Sequence, residues 1–203
     1  LALDECGMEA ELVEERPWDW RPEFVAINPA GTLPVFITDE QVPIVGAYAI
    51  SEYLGDTADE RDARLFQPFP GDASARAETR RLTDWFHRKL HGEVTSYLVE
   101  EKVFRRFGPQ SASPDMEAMR AGHENLRYHL AYMSHLAETR PWLSGEAPSF
   151  ADLAAAAHLS TLDYLGDFVW SGDLILTSGP WFGTVPFNPS TVTVRKVGTM
   201  RWT

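Results

Sequence analysis

The chain has 203 residues, 44% of them hydrophobic, which is enough for one large or two small domains with a sizeable core. Its formal net charge of −12 argues against a nucleic-acid surface and against an anionic membrane as partners. No apolar run is long enough to span a bilayer and no signal peptide is recognisable, so we expect no membrane insertion. One cysteine excludes an internal disulfide and indicates a reducing cytoplasm.

The N-terminal part of the chain predicts short elements followed by an aromatic loop. Residues 1–7 are typical of the last turns of a helix that Gly7 terminates. Residues 9–14 predict a strand. Prolines and aromatic residues then crowd one segment (Pro17, Trp18, Trp20, Pro22 and Phe24). This composition is typical either of a packed lid or of a contact surface for a partner.

Residues 28–36 form a bend, with the sequence Asn-Pro-Ala-Gly-Thr-Leu-Pro-Val-Phe. Its prolines, glycine and asparagine exclude a helix, and its apolar end predicts a short strand. Pro34 cannot donate a hydrogen bond to a neighbouring strand, so it must lie at the start, at an edge or in a bend of that strand. A cis Leu33–Pro34 bond would expose the backbone N–H and C=O of Leu33 to a peptide ligand. The alternative is a purely structural bend.

A second strand, a helix and a linker follow this bend. Residues 42–45 predict the strand, and the helix begins near Gly46 and continues through Leu54. Residues 58–72 mix acidic residues with proline and glycine, which is typical of a linker between domains.

From Ala73 onward, apolar residues recur every four positions and predict one long helix (Leu82, Phe86, Leu90, Val94 and Leu98). Lys102, Arg105 and Arg106 near its end suit the negative pole of the helix dipole. The alternative is that this basic cluster is a docking patch for an acidic partner.

His87 and His91 lie four residues apart on this helix, a spacing that can bind zinc. No cysteine or third histidine accompanies them in a motif. We therefore predict no metal site.

A turn at residues 108–114 separates the long helix from a second amphipathic helix, and together they predict an antiparallel hairpin. The apolar face of the second helix is marked by methionine, leucine and histidine at helical spacing, which is typical of a core (Met116, Met119, His123, Leu126, Leu130, Met133 and Ala137).

Ser149 and Asp152 have the spacing of a capping box, with aspartate in the place that glutamate usually takes. The small residues that follow, through His158, predict a buried helix. We interpret Ser149 and Asp152 as structural residues and His158 as a core histidine with a hydrogen-bond partner.

The bend at residues 28–36, the Ala-Ile-x-x-Tyr-Leu that follows at residues 49–54, and the capping box together resemble the glutathione transferase family. The resemblance implies an α/β plus all-α fold: a thioredoxin-like N-terminal domain over residues 1–57 and an all-α C-terminal domain over residues 73–167. The family's first strand would precede Leu1, so we expect this sheet to lack one member. The tail, residues 168–203, does not resemble the family. It alternates like a strand near residues 191–194, and a frameshifted gene would explain its composition.

The same resemblance implies a glutathione site without catalytic residues. The family's catalytic Tyr, Ser or Cys would precede Leu1, and we interpret Cys6 as an ordinary half-buried thiol. Leu33, Pro34, Gly46 and Ala47 occupy the glutathione-binding positions. The family usually places an acid and a serine where this chain has Gly46 and Ala47, so we expect weak glutathione binding or none, and no other cofactor.

Further segments resemble one branch of the family, the FzlA subfamily, whose members bind the bacterial division polymer FtsZ (residues 85–86, 101–107, 125–130, 151–153 and 158–167). This resemblance implies a cytoplasmic, homodimeric, non-catalytic scaffold that binds FtsZ filaments. The alternative is a transferase that conjugates glutathione to small electrophiles, with a thiolate as the nucleophile.

Overall fold

The structure, a computed structural model, describes residues 1–57, 67–107, 111–167 and 193–195. The chain divides into two compact units. The first contains Leu1–Pro68 together with Asn188–Thr203, and the second contains Phe69–Phe187. Among the described residues, no helix combines the length and the apolar character needed to cross a lipid bilayer.

The first unit contains short strands and helices in the described part of its chain: α1 (Ala2–Glu5), β1 (Glu11–Val13), α2 (Pro22–Ile27), β2 (Val35–Ile37), β3 (Pro43–Val45), α3 (Ala47–Asp56) and β4 (Thr193–Arg195). The helix expected at the N-terminus is α1. Gly7, just after its end, has a left-handed backbone conformation with a φ of +65°, which favours glycine and terminates the helix as predicted. The strand expected at residues 9–14 is β1, and the helix expected near Gly46 is α3.

The four strands form one sheet in the order β1-β4-β2-β3. β2 and β3 are antiparallel, with Phe36 opposite Ile44. β4 lies between β1 and β2, antiparallel to β1 and parallel to β2. The sequence predicted a sheet that lacks one member, and it did not predict that the C-terminal β4 pairs with both β1 and β2. This strand covers part of the predicted 191–194 alternation, and the rest of the tail lies outside the described residues.

The core of the first unit lies between the sheet and two of its helices. Phe36 from β2 and Leu54 from α3 are fully buried, with Cys6, Met8 and Ile50 packed against them. Cys6 is thus buried more completely than the half-buried thiol predicted from the sequence. A cysteine thiol in such apolar surroundings packs like a small hydrophobic side chain.

The described part of the second unit consists mainly of helices. Helical backbone continues from Ala73 to Phe107 as α4 (Ala73–Asp84), a π-helical segment (Trp85–Thr95), α5 (Ser96–Val99), a second π-helical segment (Glu100–Phe104) and α6 (Arg105–Phe107). We call this run the long helix. α7 (Met116–Thr139) and α8 (Phe150–Tyr164) complete the unit. The single long helix was predicted, but its two π-helical segments were not.

The apolar positions predicted from the four-residue period form the buried face of the long helix. Leu82, Phe86, Leu90, Val94 and Leu98 are all fully buried. α8 packs against α4 and the first π-helical segment, and its small residues allow close approach (Ala151, Ala154, Ala155 and Ala156 are buried).

The second amphipathic helix was predicted less accurately. Leu126 and Met133 are buried, as expected, but Met116 at the start of α7 is exposed. His129, a polar residue that the pattern did not select, is fully buried instead. Parts of the predicted turn and linker, residues 108–110 and 58–66, lie outside the described residues.

Candidate functional site

The bend is held by the side chain of Asn28, which is buried. Its Nδ2 donates to the backbone carbonyl of Thr32 at 2.6 Å, and its Oδ1 accepts from the N–H of Ala30 at 3.1 Å. The carbonyl of Asn28 accepts from the N–H of Gly31 at 2.9 Å. An asparagine that bonds its own backbone two residues on stabilises a turn, so these contacts fix the path of the chain into β2.

The Leu33–Pro34 peptide bond is cis. The carbonyl of Pro34 accepts a hydrogen bond from the N–H of Gly46 at 2.9 Å, which joins the bend to the start of α3. Within the described parts of the chain, the backbone N–H and C=O of Leu33 form no hydrogen bond.

Gly46 precedes the first residue of α3, Ala47, and has a φ of +90°. Only glycine adopts such a conformation without strain. A Cβ placed on Gly46 would have no atom within 4 Å, so there is open space beside the helix N-terminus. The structure thus brings Leu33, Pro34, Gly46 and Ala47 to one edge of the first unit, but no acid or hydroxyl side chain comes from the last two.

The aromatic loop lies against this bend. A Cβ on Gly31 would lie 3.0 Å from a ring carbon of Trp20, so glycine allows the indole to pack on the backbone. Trp20 itself remains 61% exposed and has a φ of +45°. The neighbouring Glu15 is buried and pairs with Arg21, whose hydrogen bond holds the pKa of the Glu15 carboxyl below its usual range.

The capping box in the second unit has the predicted geometry. Asp152 Oδ2 accepts from the backbone N–H of Ser149 at 2.9 Å and from its hydroxyl at 2.8 Å. Asp152 Oδ1 accepts from the N–H of Leu143 at 2.8 Å. Burial raises the pKa of the Asp152 carboxyl.

A row of hydroxyls continues from the capping box to the start of the long helix. Ser144 donates to Ser149 at 2.8 Å, and Thr79 donates to Ser144 at 3.0 Å. These residues are all buried. Ser149 and Asp152 therefore join α8, its preceding turn and α4.

A polar network between the long helix and α7 was missed by sequence reasoning. The indole N–H of Trp85 donates to Nδ1 of His129 at 3.1 Å, so Nε2 carries the proton and donates to Glu93 at 3.0 Å. Glu93 also pairs with Lys89. Burial lowers the pKa of His129, which fits the neutral ring that these two bonds require.

A second network holds the C-terminal end of α8. The Asp167 carboxylate, whose side chain is buried, accepts from Lys102 at 2.6 Å and contacts Nε2 of His123 at 2.7 Å. Lys102 also donates to the carbonyl of Leu165 at 2.8 Å. The lysine of the predicted basic cluster is thus engaged within the second unit.

Three histidines come together between the long helix and α8. The ring of His158 lies 5.9 Å from that of His87 and 5.8 Å from that of His91, centre to centre. His158 Nδ1 also shares a hydrogen bond of 2.9 Å with the hydroxyl of Thr95, as expected of a core histidine. Burial lowers the pKa of His87 to about 4 and that of His158 to about 3, so both rings are neutral at pH 7.

No group of three or more His, Cys, Asp or Glu in the described residues is arranged to hold a metal ion as the side chains stand. The third histidine could not be found from spacing, since His158 lies on another helix. An unpaired buried nitrogen, Nε2 of His87, is the structural feature that marks this cluster.

The similarity to known proteins extends over most of the chain. Residues 1–57 match the family model for the glutathione S-transferase N-terminal domain. FtsZ-localized protein A from Caulobacter vibrioides is 41% identical over 174 residues, which cover 84% of this chain and 73% of that protein.

Two solved structures are similar to this chain in both fold and sequence. The structure of FzlA from C. crescentus superposes with a TM-score of 0.76 at 40% identity, covering 83% of this chain and 74% of that one. A glutathione S-transferase from Rhodospirillum rubrum F11 superposes with a TM-score of 0.79 at 35% identity, covering 94% and 88%. The chain therefore belongs to the glutathione S-transferase family, within the subfamily that includes FtsZ-localized protein A.

Proposed function

We propose that this protein is a non-catalytic, glutathione-transferase-like scaffold that associates with FtsZ filaments in the cytoplasm. The observation that carries the proposal is the 41% identity to FtsZ-localized protein A over 84% of the chain. Two further observations, the state of the glutathione site and the surface at the end of the long helix, support it.

The glutathione site retains its backbone groups but lacks side chains that would hold a charged ligand. Among the described residues, the N–H and C=O of Leu33 have no hydrogen-bond partner, which leaves them for peptide pairing. At Gly46 and Ala47, no carboxylate or hydroxyl is available to the charged groups of the γ-glutamyl end. Each lost partner costs about 1–3 kcal/mol, or roughly one to two orders of magnitude in affinity. Binding of glutathione is therefore weak, and association with a protein partner becomes the better-supported function.

The end of the long helix is a candidate contact surface for that partner. Phe107 is 70% exposed, and the Arg106 guanidinium lies 5.4 Å from the centre of its ring. Arg105 forms an ion pair with the buried Glu101. Of the two arginines, Arg106 is therefore the one whose charge lies beside the exposed ring of Phe107. A cation beside an exposed aromatic ring suits a partner segment that is acidic and partly apolar.

We also propose that the protein acts as a homodimer, as its resemblance to the family implies. Tyr97 and Tyr128 in the second unit are exposed aromatic residues of the kind that subunit interfaces bury. Sedimentation equilibrium of the full chain tests this: a mass of two chains supports it, and a single-chain mass at all concentrations contradicts it.

The second candidate function is glutathione conjugation to small electrophiles. Its specific support is the bend that the Asn28 side chain holds, together with the likeness to the transferase from Rhodospirillum rubrum. Calorimetric titration with millimolar glutathione and a conjugation assay with a small electrophile separate the two functions. Tight binding together with turnover favours the transferase.

The main test is co-sedimentation with polymerised FtsZ from Caulobacter vibrioides. We expect the full chain to pellet with the polymer, and Phe107→Ala combined with Arg106→Glu to reduce the pelleted fraction by at least half. Arg88→Glu is the matched control, since Arg88 is an exposed arginine on the same helix that pairs with Asp84. Equal loss in both variants would assign the effect to net charge and reject the proposed surface, and a chain that never pellets would reject FtsZ association.

A further inference from the structure

We propose that His87, His91 and His158, the histidine cluster, form a binding site for a divalent transition-metal ion such as Zn²⁺. Two helices supply these residues: His87 and His91 belong to the π-helical segment Trp85–Thr95, and His158 belongs to α8. The proposal concerns the second unit alone and does not depend on FtsZ association.

The spacing of the rings is the first argument. Imidazoles that share one tetrahedral zinc ion have ring centres about 5 Å apart, because each Zn–N bond is about 2 Å long. The ring of His158 lies 5.9 Å from that of His87 and 5.8 Å from that of His91. His158 is therefore within about 1 Å of the required separation from both partners.

The unmet hydrogen-bonding capacity of His87 is the second argument. Its Nε2 is buried and has no hydrogen-bond partner, whereas Nδ1 of His158 is held by Thr95. An orphaned buried nitrogen destabilises the fold unless a ligand satisfies it. Metal binding through Nε2 of His158 requires that its Nδ1–H donate to the Thr95 hydroxyl, and this bond orients the ring as outer partners commonly do for metal-bound histidines.

Binding requires movement of one side chain. The nitrogens do not already converge on a common point among the described residues. His91 is exposed, so its ring can turn toward the other two without repacking the core. Three neutral imidazoles and one water would then complete a four-coordinate site, a set that zinc and copper favour over magnesium or calcium.

The test is equilibrium dialysis of the untagged full chain against Zn²⁺ in the micromolar range. We expect one zinc ion per chain and at least a tenfold weaker affinity in His91→Gln and in His158→Gln. His135→Gln is the control, because His135 is an exposed histidine on α7. Nitrogen-detected NMR of the imidazoles should show zinc-dependent shifts confined to the three cluster rings.

The following outcomes would overturn the proposal. A chain that binds no zinc lacks the site, and zinc binding that His91→Gln and His135→Gln reduce equally is non-specific surface binding. If His158→Gln fails to fold, His91→Gln decides the question by itself, since that exposed position does not contribute to the core. Unchanged affinity in a folded His91→Gln variant rejects the three-histidine site.

Discussion

Substitution of Asp152 by alanine should strongly destabilise the second unit. Its carboxylate accepts three hydrogen bonds, from the N–H and hydroxyl of Ser149 and from the N–H of Leu143, at 2.8 to 2.9 Å. Alanine removes both acceptor oxygens, and with them all three hydrogen bonds, and leaves two backbone donors in a largely buried turn. Each unsatisfied donor costs about 1–3 kcal/mol.

Removal of the carboxylate also has a favourable effect, because burial of that charge is unfavourable and raises its pKa. This gain offsets part of the loss. We therefore expect Asp152→Ala to lower the free energy of unfolding by about 3 kcal/mol, a large share of the ~5–15 kcal/mol typical of a domain. Asp152→Asn keeps one carbonyl acceptor and should cost about half as much.

Urea unfolding followed by circular dichroism measures both values. Asp163→Ala is the matched control, because Asp163 is an exposed aspartate on the same helix, and its substitution should change stability by less than about 0.5 kcal/mol. If Asp152→Ala and Asp163→Ala were equally mild, the claim that the capping box joins α8 to α4 would be refuted.

Three further predictions concern buried polar groups. Trp85→Phe leaves Nδ1 of the fully buried His129 without its donor and should lower unfolding free energy by about 1–3 kcal/mol; a loss well under 1 kcal/mol in urea unfolding would contradict this. In EDTA, stability should fall between pH 6.5 and about 4, because His87 and His158 bind protons more readily unfolded than folded. We expect the free energy of unfolding to fall by about 1 kcal/mol per pH unit for each histidine. If His158→Gln left this pH dependence unchanged, the reasoning would be contradicted. Asn28→Ala should cost about 1–3 kcal/mol by calorimetric unfolding, and a neutral effect would mean that the bend needs no side-chain support.

Features with local causes could be predicted from the sequence. The bend at residues 28–36 follows from prolines, glycine and asparagine within a few positions, each of which restricts its own backbone. The four-residue period of the long helix and the Ser149-x-x-Asp152 box are equally local. The helix that starts after Gly46 was predicted for the same reason, whereas the cis bond before Pro34 was raised as one alternative and not predicted.

Features with distant causes could not be predicted. β4 pairs with β1 and β2 although more than half of the chain separates them, and no periodicity encodes that pairing. His158 joins His87 only because α8 packs on the long helix. His129 was overlooked because a polar residue on an amphipathic helix is ordinarily exposed, and its burial depends on Trp85 and Glu93 from another helix.

The most direct test of the central claim is co-sedimentation of the unmodified chain with FtsZ polymers, with and without millimolar glutathione. A scaffold whose ligand site no longer functions should pellet with FtsZ to the same extent in both conditions. A chain that stays in the supernatant, or that leaves the polymer when glutathione is added, would contradict the account and favour a glutathione-binding transferase.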